Sequence, residues 1–159
     1  MKPRRHLGFT VLEMTIAVAM LAVLLAAARP LLEVQHQRGQ ERELREALRS
    51  IRGALDEHKR LADAGLLVSA PPSGWPPSLA VLTEGLELRD ATQGTTRRLH
   101  LLRRLPRDPF ADPALPAEQT WRLRSHASPA DDPQPGDDVF DVLTSSPLLA
   151  LDGSRLADW

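Results

Sequence analysis

Hydrophobic and polar residues change their pattern twice along this chain. From Phe9 to Ala28 only Thr10, Glu13 and Thr15 are polar, and a helix of about 20 residues is about 30 Å long, the depth of one bilayer hydrocarbon core. From Gln37 to Ala62 the pattern narrows to one helical face, carrying Leu44, Ala47, Leu48, Ile51, Ala54, Leu55, His58, Leu61 and Ala62. Glu41 stands four residues before Arg45, and Asp56 four before Arg60, the favourable order for ion pairs along an exposed helix face. Gly65 is placed to stop the helix. The pattern predicts one long helix from residue 9 to about 63, with an apolar half over 9–29 and an amphipathic half over 30–64. Pro30, where the halves meet, removes one backbone donor and is expected to kink or locally melt the helix, or to mark its end.

Residues 65–159 read differently. Twelve of the 14 prolines lie after residue 70, so this part is expected to be loop-rich with short strands. SLAVLTEGLEL, from Ser78, reads as a short helix opened by a serine cap. TWRLRSH alternates at Trp121 and Leu123 as a half-buried strand does, and DVFDVLTS and PLLALDG are the other strand candidates. In LRRLPRDPFADPA, Asp108 lies between Pro106 and Pro109. There it can accept a hydrogen bond from its own downstream backbone while the prolines stiffen the turn.

Composition narrows the chemistry. Cysteine and tyrosine are absent, and three Trp and three Phe are the only aromatics, so disulfides and thiolate sites are excluded and the core must rest on Leu, Val and Ala. With 159 residues, much of the apolar content before residue 33, the remainder makes one small domain. Twenty Lys and Arg face 21 Asp and Glu, and no basic face is dense enough to follow a phosphate backbone, so nucleic acid is not an expected partner. The five histidines are scattered and no phosphate loop or nucleophile motif appears, which points away from an enzyme. His58 reads as a packed side chain, not a ligand.

Lys2, Arg4, Arg5 and His6 precede the apolar run, an arrangement that keeps the N-terminus cytoplasmic and sends the rest of the chain across the membrane. Ala26 and Ala28 stand at the spacing of a signal-peptidase site, so a secreted domain is one reading and a plain signal anchor another. Neither accounts for Glu13. A charge at the centre of a membrane helix costs about 2.5 to 3.5 kcal/mol; a carboxylate near one end costs less but not nothing, and a Glu that snorkels to the cytoplasmic headgroups is the bland alternative.

The stretch GFTVLEM resembles the processing site of type IV pilins and type II secretion pseudopilins. The resemblance implies cleavage by a prepilin peptidase between Gly8 and Phe9, methylation of the new amine at Phe9, and retention of the apolar segment. It places Glu13 at the conserved fifth position of the mature chain and Pro30 where many such helices carry a kinking proline. In a helical filament, Glu13 of one subunit would then neutralise the amine of Phe9 in its neighbour. Cleavage removes Lys2, Arg4 and Arg5, leaving 17 basic against 21 acidic residues.

The resemblance continues through GWPPSLAVLTEGLEL, through LRRLPRDPFADPA with Leu105, Pro106, Asp108, Pro109 and Phe110 in agreement, and through DVFDVLTSS and LDGSRLADW. Ala111 and Ala114 depart from it. It is most similar to the major pseudopilin. The implied fold is α+β and pilin-like: a long N-terminal helix on a small, loop-rich antiparallel β-sheet. The implied function is a structural subunit of a periplasmic pseudopilus that drives export of folded proteins. Implied partners are further copies of itself, minor pseudopilins, the prepilin peptidase, the inner-membrane assembly platform and membrane lipid. The protein would sit in the bacterial inner membrane with its C-terminal part in the periplasm. A type IV pilus subunit and a secreted soluble domain are the other readings.

Major pseudopilins bind calcium in a C-terminal loop, so the resemblance raises Ca2+ as a cofactor. Asp141, Asp152 and Asp158 are the candidate ligands, within a wider supply of carboxylates at Asp131, Asp132, Asp137 and Asp138. Pro147 stands where a ligand would be wanted.

Overall fold

The computed structural model describes residues 10–89 and 95–159, without the side chains of 26–31. The architecture is α+β, with a long helix and two small antiparallel sheets. The chain divides into two units, Met1–Arg38 and Gly39–Trp159.

Helix α1 runs from Val11 to Asp63. Its backbone is helical through Pro30, so the proline neither ends nor melts it. At the C-terminus Gly65 takes φ 67°, Gly65 N–H bonds Ala62 O at 2.9 Å and Leu66 N–H bonds Leu61 O at 3.1 Å. This pair of bonds satisfies the last carbonyls, as expected of a glycine stop.

In the second unit the stripe of α1 makes the core. Leu44, Ile51 and Leu55 are buried with Ala47, Leu48 and Ala54 against Trp75, Leu82, Trp121, Val139, Val142 and Leu156. Each large aliphatic contributes about 1.5 to 3 kcal/mol by leaving water. The outer face departs from the predicted pairing. Arg60 turns to Glu57, three residues back, with both guanidinium contacts at 2.6 and 2.7 Å, because i,i+3 neighbours are equally near and the longer glutamate accepts a fork.

Helix α2 covers only Ala80–Glu84, and its N-cap is Leu79, with no side-chain cap bond. The serine cap expected at Ser78 is therefore absent. The second half of that segment is instead β1, Leu86–Arg89, which pairs antiparallel with β2, Thr96–Leu99. Gly85, at φ 101°, makes the switch. Leu86 and Leu88 alternate into a second apolar cluster with Leu61 and Leu67, so strand periodicity prevails over helical spacing.

The other sheet joins β3, Trp121–Arg124, to β4, Asp141–Thr144, with Trp121 opposite Thr144 and Leu123 opposite Val142. Both strands fall inside predicted segments. PLLALDG forms no strand; its one bridge, Leu149 to Arg155, closes a turn at Gly153. The sheets are thus two separate pairs and not one.

Candidate functional site

Two regions hold the residues singled out by sequence. In the first unit, Thr10 Oγ1 accepts the Glu13 N–H at 3.2 Å and so caps the first turn of α1. Glu13 is exposed in that turn. Around it Val11 is 82% exposed, and Leu12, Met14, Ile16, Val18, Met20, Leu21, Val23, Leu24 and Leu25 are also in the open. Val11, Met14, Thr15, Val18, Ala19 and Ala22 line a shallow groove along one side of the helix. An apolar surface of this length, exposed among the described residues, is a surface for association or for lipid.

Gly8 and Phe9 lie outside the described residues, as does the side chain of Pro30. Among the described residues no helix is long and apolar enough to cross a membrane. The side chains described from the apolar run end at Leu25, short of the about 20 residues a full crossing takes.

The second region surrounds Asp108, buried at 3% exposure. Its Oδ1 accepts the Phe110 N–H at 2.8 Å, the downstream bond the sequence predicts. Its Oδ2 accepts the Thr144 hydroxyl of β4, and its own N–H donates to Thr120 Oγ1 at 3.2 Å. Trp121 Nε1 donates to Pro106 O at 2.9 Å, and Gln40 of α1 donates to Pro109 O at 3.1 Å. Pro106, Asp108, Pro109 and Phe110 therefore tie the loop to α1 and to both strands of the second sheet. The Thr144 partner, 36 residues away, had no sequence signal.

Sequence reasoning also missed a clamp on α1. Arg52 donates to Asp141 Oδ1 at 2.7 Å, to Val142 O at 3.1 Å and to the Trp159 backbone oxygen at 2.5 Å. Arg45 stacks 3.9 Å over the Trp159 ring, and the buried Glu41 accepts the Leu151 N–H at 2.8 Å. Arg52 follows directly on the stripe residue Ile51, and that boundary position is the signal that could have marked it.

Among the described residues the three calcium candidates do not converge as one ligand set. Asp141 is held by Arg52. The Ser154 hydroxyl and N–H bond Asp152 Oδ1 at 2.6 and 2.9 Å and hold its carboxyl below the ordinary 3.8. Asp158 is exposed in the short helix Leu156–Asp158. Asp131, Asp132, Asp141 and Asp158 share a cleft of about 830 Å³ with Arg52, Arg122, Arg124 and Arg155. Among the described residues no three His, Asp or Glu side chains converge as metal ligands. Calcium wants about six to eight oxygens, and a wall of guanidinium groups does not fit it. Asp138 is buried, which alone would raise its carboxyl, but hydrogen bonds from Ser73, the His126 N–H and Ser125 outweigh burial and lower it.

No protein-family model, curated protein or solved structure matches the chain.

His58 is 2% exposed, and its Nδ1 lies 3.0 Å from Gly74 O. A carbonyl only accepts, so the neutral ring carries its proton on Nδ1. Burial lowers its pKa below the ordinary 6.5, against the opposing Gly74 bond. The unfolded chain therefore takes up the proton first, and stability at this group is full above about 6.5 and falls as pH drops toward the lower folded value. His58→Gln retains a donor for Gly74 and is expected to flatten the fall of the unfolding midpoint as pH drops below about 6.5, relative to the parent chain. A parallel fall in both proteins would remove His58 from the acid response.

Proposed function

We propose that this protein is a pilin-like filament subunit, most similar to the major pseudopilin of a type II secretion system. The observation that carries the proposal is the exposed apolar face from Val11 to Leu25 with Glu13 as its one carboxylate. That surface follows a basic leader ending in Gly8, with Phe9 as the first residue of the mature chain. The α+β architecture, with the stripe of α1 packed on loops and short sheets, is compatible with a pilin-like body.

In the proposed cycle the apolar half holds the subunit in the inner membrane until the leader is removed after Gly8. Docking on a filament end sets Glu13 beside the amine of Phe9 in the neighbouring copy, each charge removing the cost of the other. Paired charges are tolerated in an apolar medium where lone ones are not, so the carboxylate selects both assembly and register. The rigid body then carries the push of the growing filament to an exported protein. A pseudopilus is favoured over a type IV pilus by the absence of cysteine, and so of the C-terminal disulfide loop common in type IVa pilins.

N-terminal sequencing and mass analysis of the protein from membranes test this reading. A chain starting at Phe9 and carrying one methyl group, about 14 Da, is expected. A chain starting after Ala28 would make it an ordinary secreted domain and remove the assembly role of Glu13.

A further inference from the structure

Charge is segregated within the body in a way the net value of −1 hides. Residues 97–107 hold five arginines and no acid, and residues 131–141 hold five aspartates and no base. Some of these are engaged at home: Arg98 with Glu87 at 3.7 Å, Arg107 with the carbonyls of Asp112 and Pro113, Asp138 with Ser125, and Asp141 with Arg52. Arg103, Arg104, Asp131 and Asp137 remain exposed, and among the described residues no ion pair joins the two segments.

Arg103 and Arg104 line a cleft of about 650 Å³ beside Glu43, Glu46 and Ser50 of α1, and neither glutamate closes an ion pair with them. A separate cleft of about 550 Å³ is walled by Pro71, Pro72, Ser73, Ser125, Asp137 and Asp138 and has no basic residue in its lining. Its chemistry suits a guanidinium: flat proline faces for the planar group, and hydroxyl and carboxylate acceptors for its fork of donors.

The two clefts cannot serve each other within one chain. The second adjoins Gly74, which meets α1 at His58, twelve residues beyond Glu46 and so about 18 Å further along the helix. We propose that the Arg103–Arg104 pair of one copy docks into the Pro71–Asp137 cleft of a second copy. This rests on the self-assembly reading and names the body surfaces that meet. Because the two surfaces differ, the contact is heterologous and repeats along a row of copies without closing into a pair.

The chain has no cysteine, which allows a direct test in the full-length protein in its membrane. With Arg104→Cys and Asp137→Cys together, mild oxidation is expected to give a ladder of disulfide-linked multimers, while either change alone gives none beyond dimer. Reversing Arg103→Glu and Arg104→Glu is expected to lower chemically cross-linked multimers by about tenfold, and adding Asp137→Arg to restore part of them. Filaments that form normally with no ladder and no response to reversal would overturn this interface and leave the assembly reading intact. A parent chain that stays monomeric in the membrane would overturn both. Trypsin protection at Arg103–Arg104 that requires phosphatidylglycerol in the vesicles, and is indifferent to protein density, would assign the pair to lipid and overturn the interface.

Discussion

Glu13→Ala is expected to leave the protein in the membrane and to lower its recovery in filaments by about 100-fold or more, since removing one partner of a buried ion pair costs about 3 to 5 kcal/mol. On the proposed pairing, the loss would come from the neighbour, whose amine at Phe9 would be left charged and unmatched among apolar side chains. Glu13→Gln keeps the size and hydrogen-bonding capacity but not the charge, so it is expected to fail as well. Glu13→Asp restores the charge one methylene short and should recover part of the assembly. Filaments are collected by shearing or cross-linked in place, with membrane insertion scored separately by fractionation. Normal filament yield from Glu13→Ala would sink the pairing, and loss of insertion would show that the residue acts at an earlier step.

The second large effect is expected at Asp108. Asp108→Ala strips the acceptors from the Phe110 N–H and the Thr144 hydroxyl, both beside a carboxylate that is 3% exposed. Leaving buried donors without partners costs about 1 to 3 kcal/mol each, so a total loss of about 2 to 6 kcal/mol is expected in denaturant unfolding of the solubilised protein. Asp108→Asn keeps one oxygen for Phe110 and is expected to lose less. Thr144→Val removes the other partner, and the double variant should show a coupling of about 0.5 to 3 kcal/mol. A loss under about 0.5 kcal/mol from Asp108→Ala would mean that the loop is held by its prolines and by Trp121 instead.

The two sites differ in how far sequence could reach. At Glu13 the signal is a charge inside an apolar run, visible without any fold. At Asp108 sequence shows the turn between two prolines and the bond to Phe110, because both are local. It does not show Thr144, Thr120 or Gln40, which arrive from other elements. The calcium candidate Asp141 shows the same limit. Asp141 looks like free carboxylate in sequence, and only packing brings Arg52 to it, 89 residues away.

The long helix, its buried stripe from Leu44 to Leu61, its stop at Gly65 and the two strands at Trp121 and Asp141 were determined by sequence alone, because periodicity and capping act between near neighbours. Tertiary structure decided the rest. It turned the end of SLAVLTEGLEL into β1, since Leu86 and Leu88 find the second cluster only as alternating strand residues. It added β2, whose exposed positions carry no alternation to read. It also assigned Arg52, Arg45 and Glu41 to the C-terminal residues. Which charge meets which partner depends on the closing of loops of about 110 residues, and no local pattern encodes that meeting.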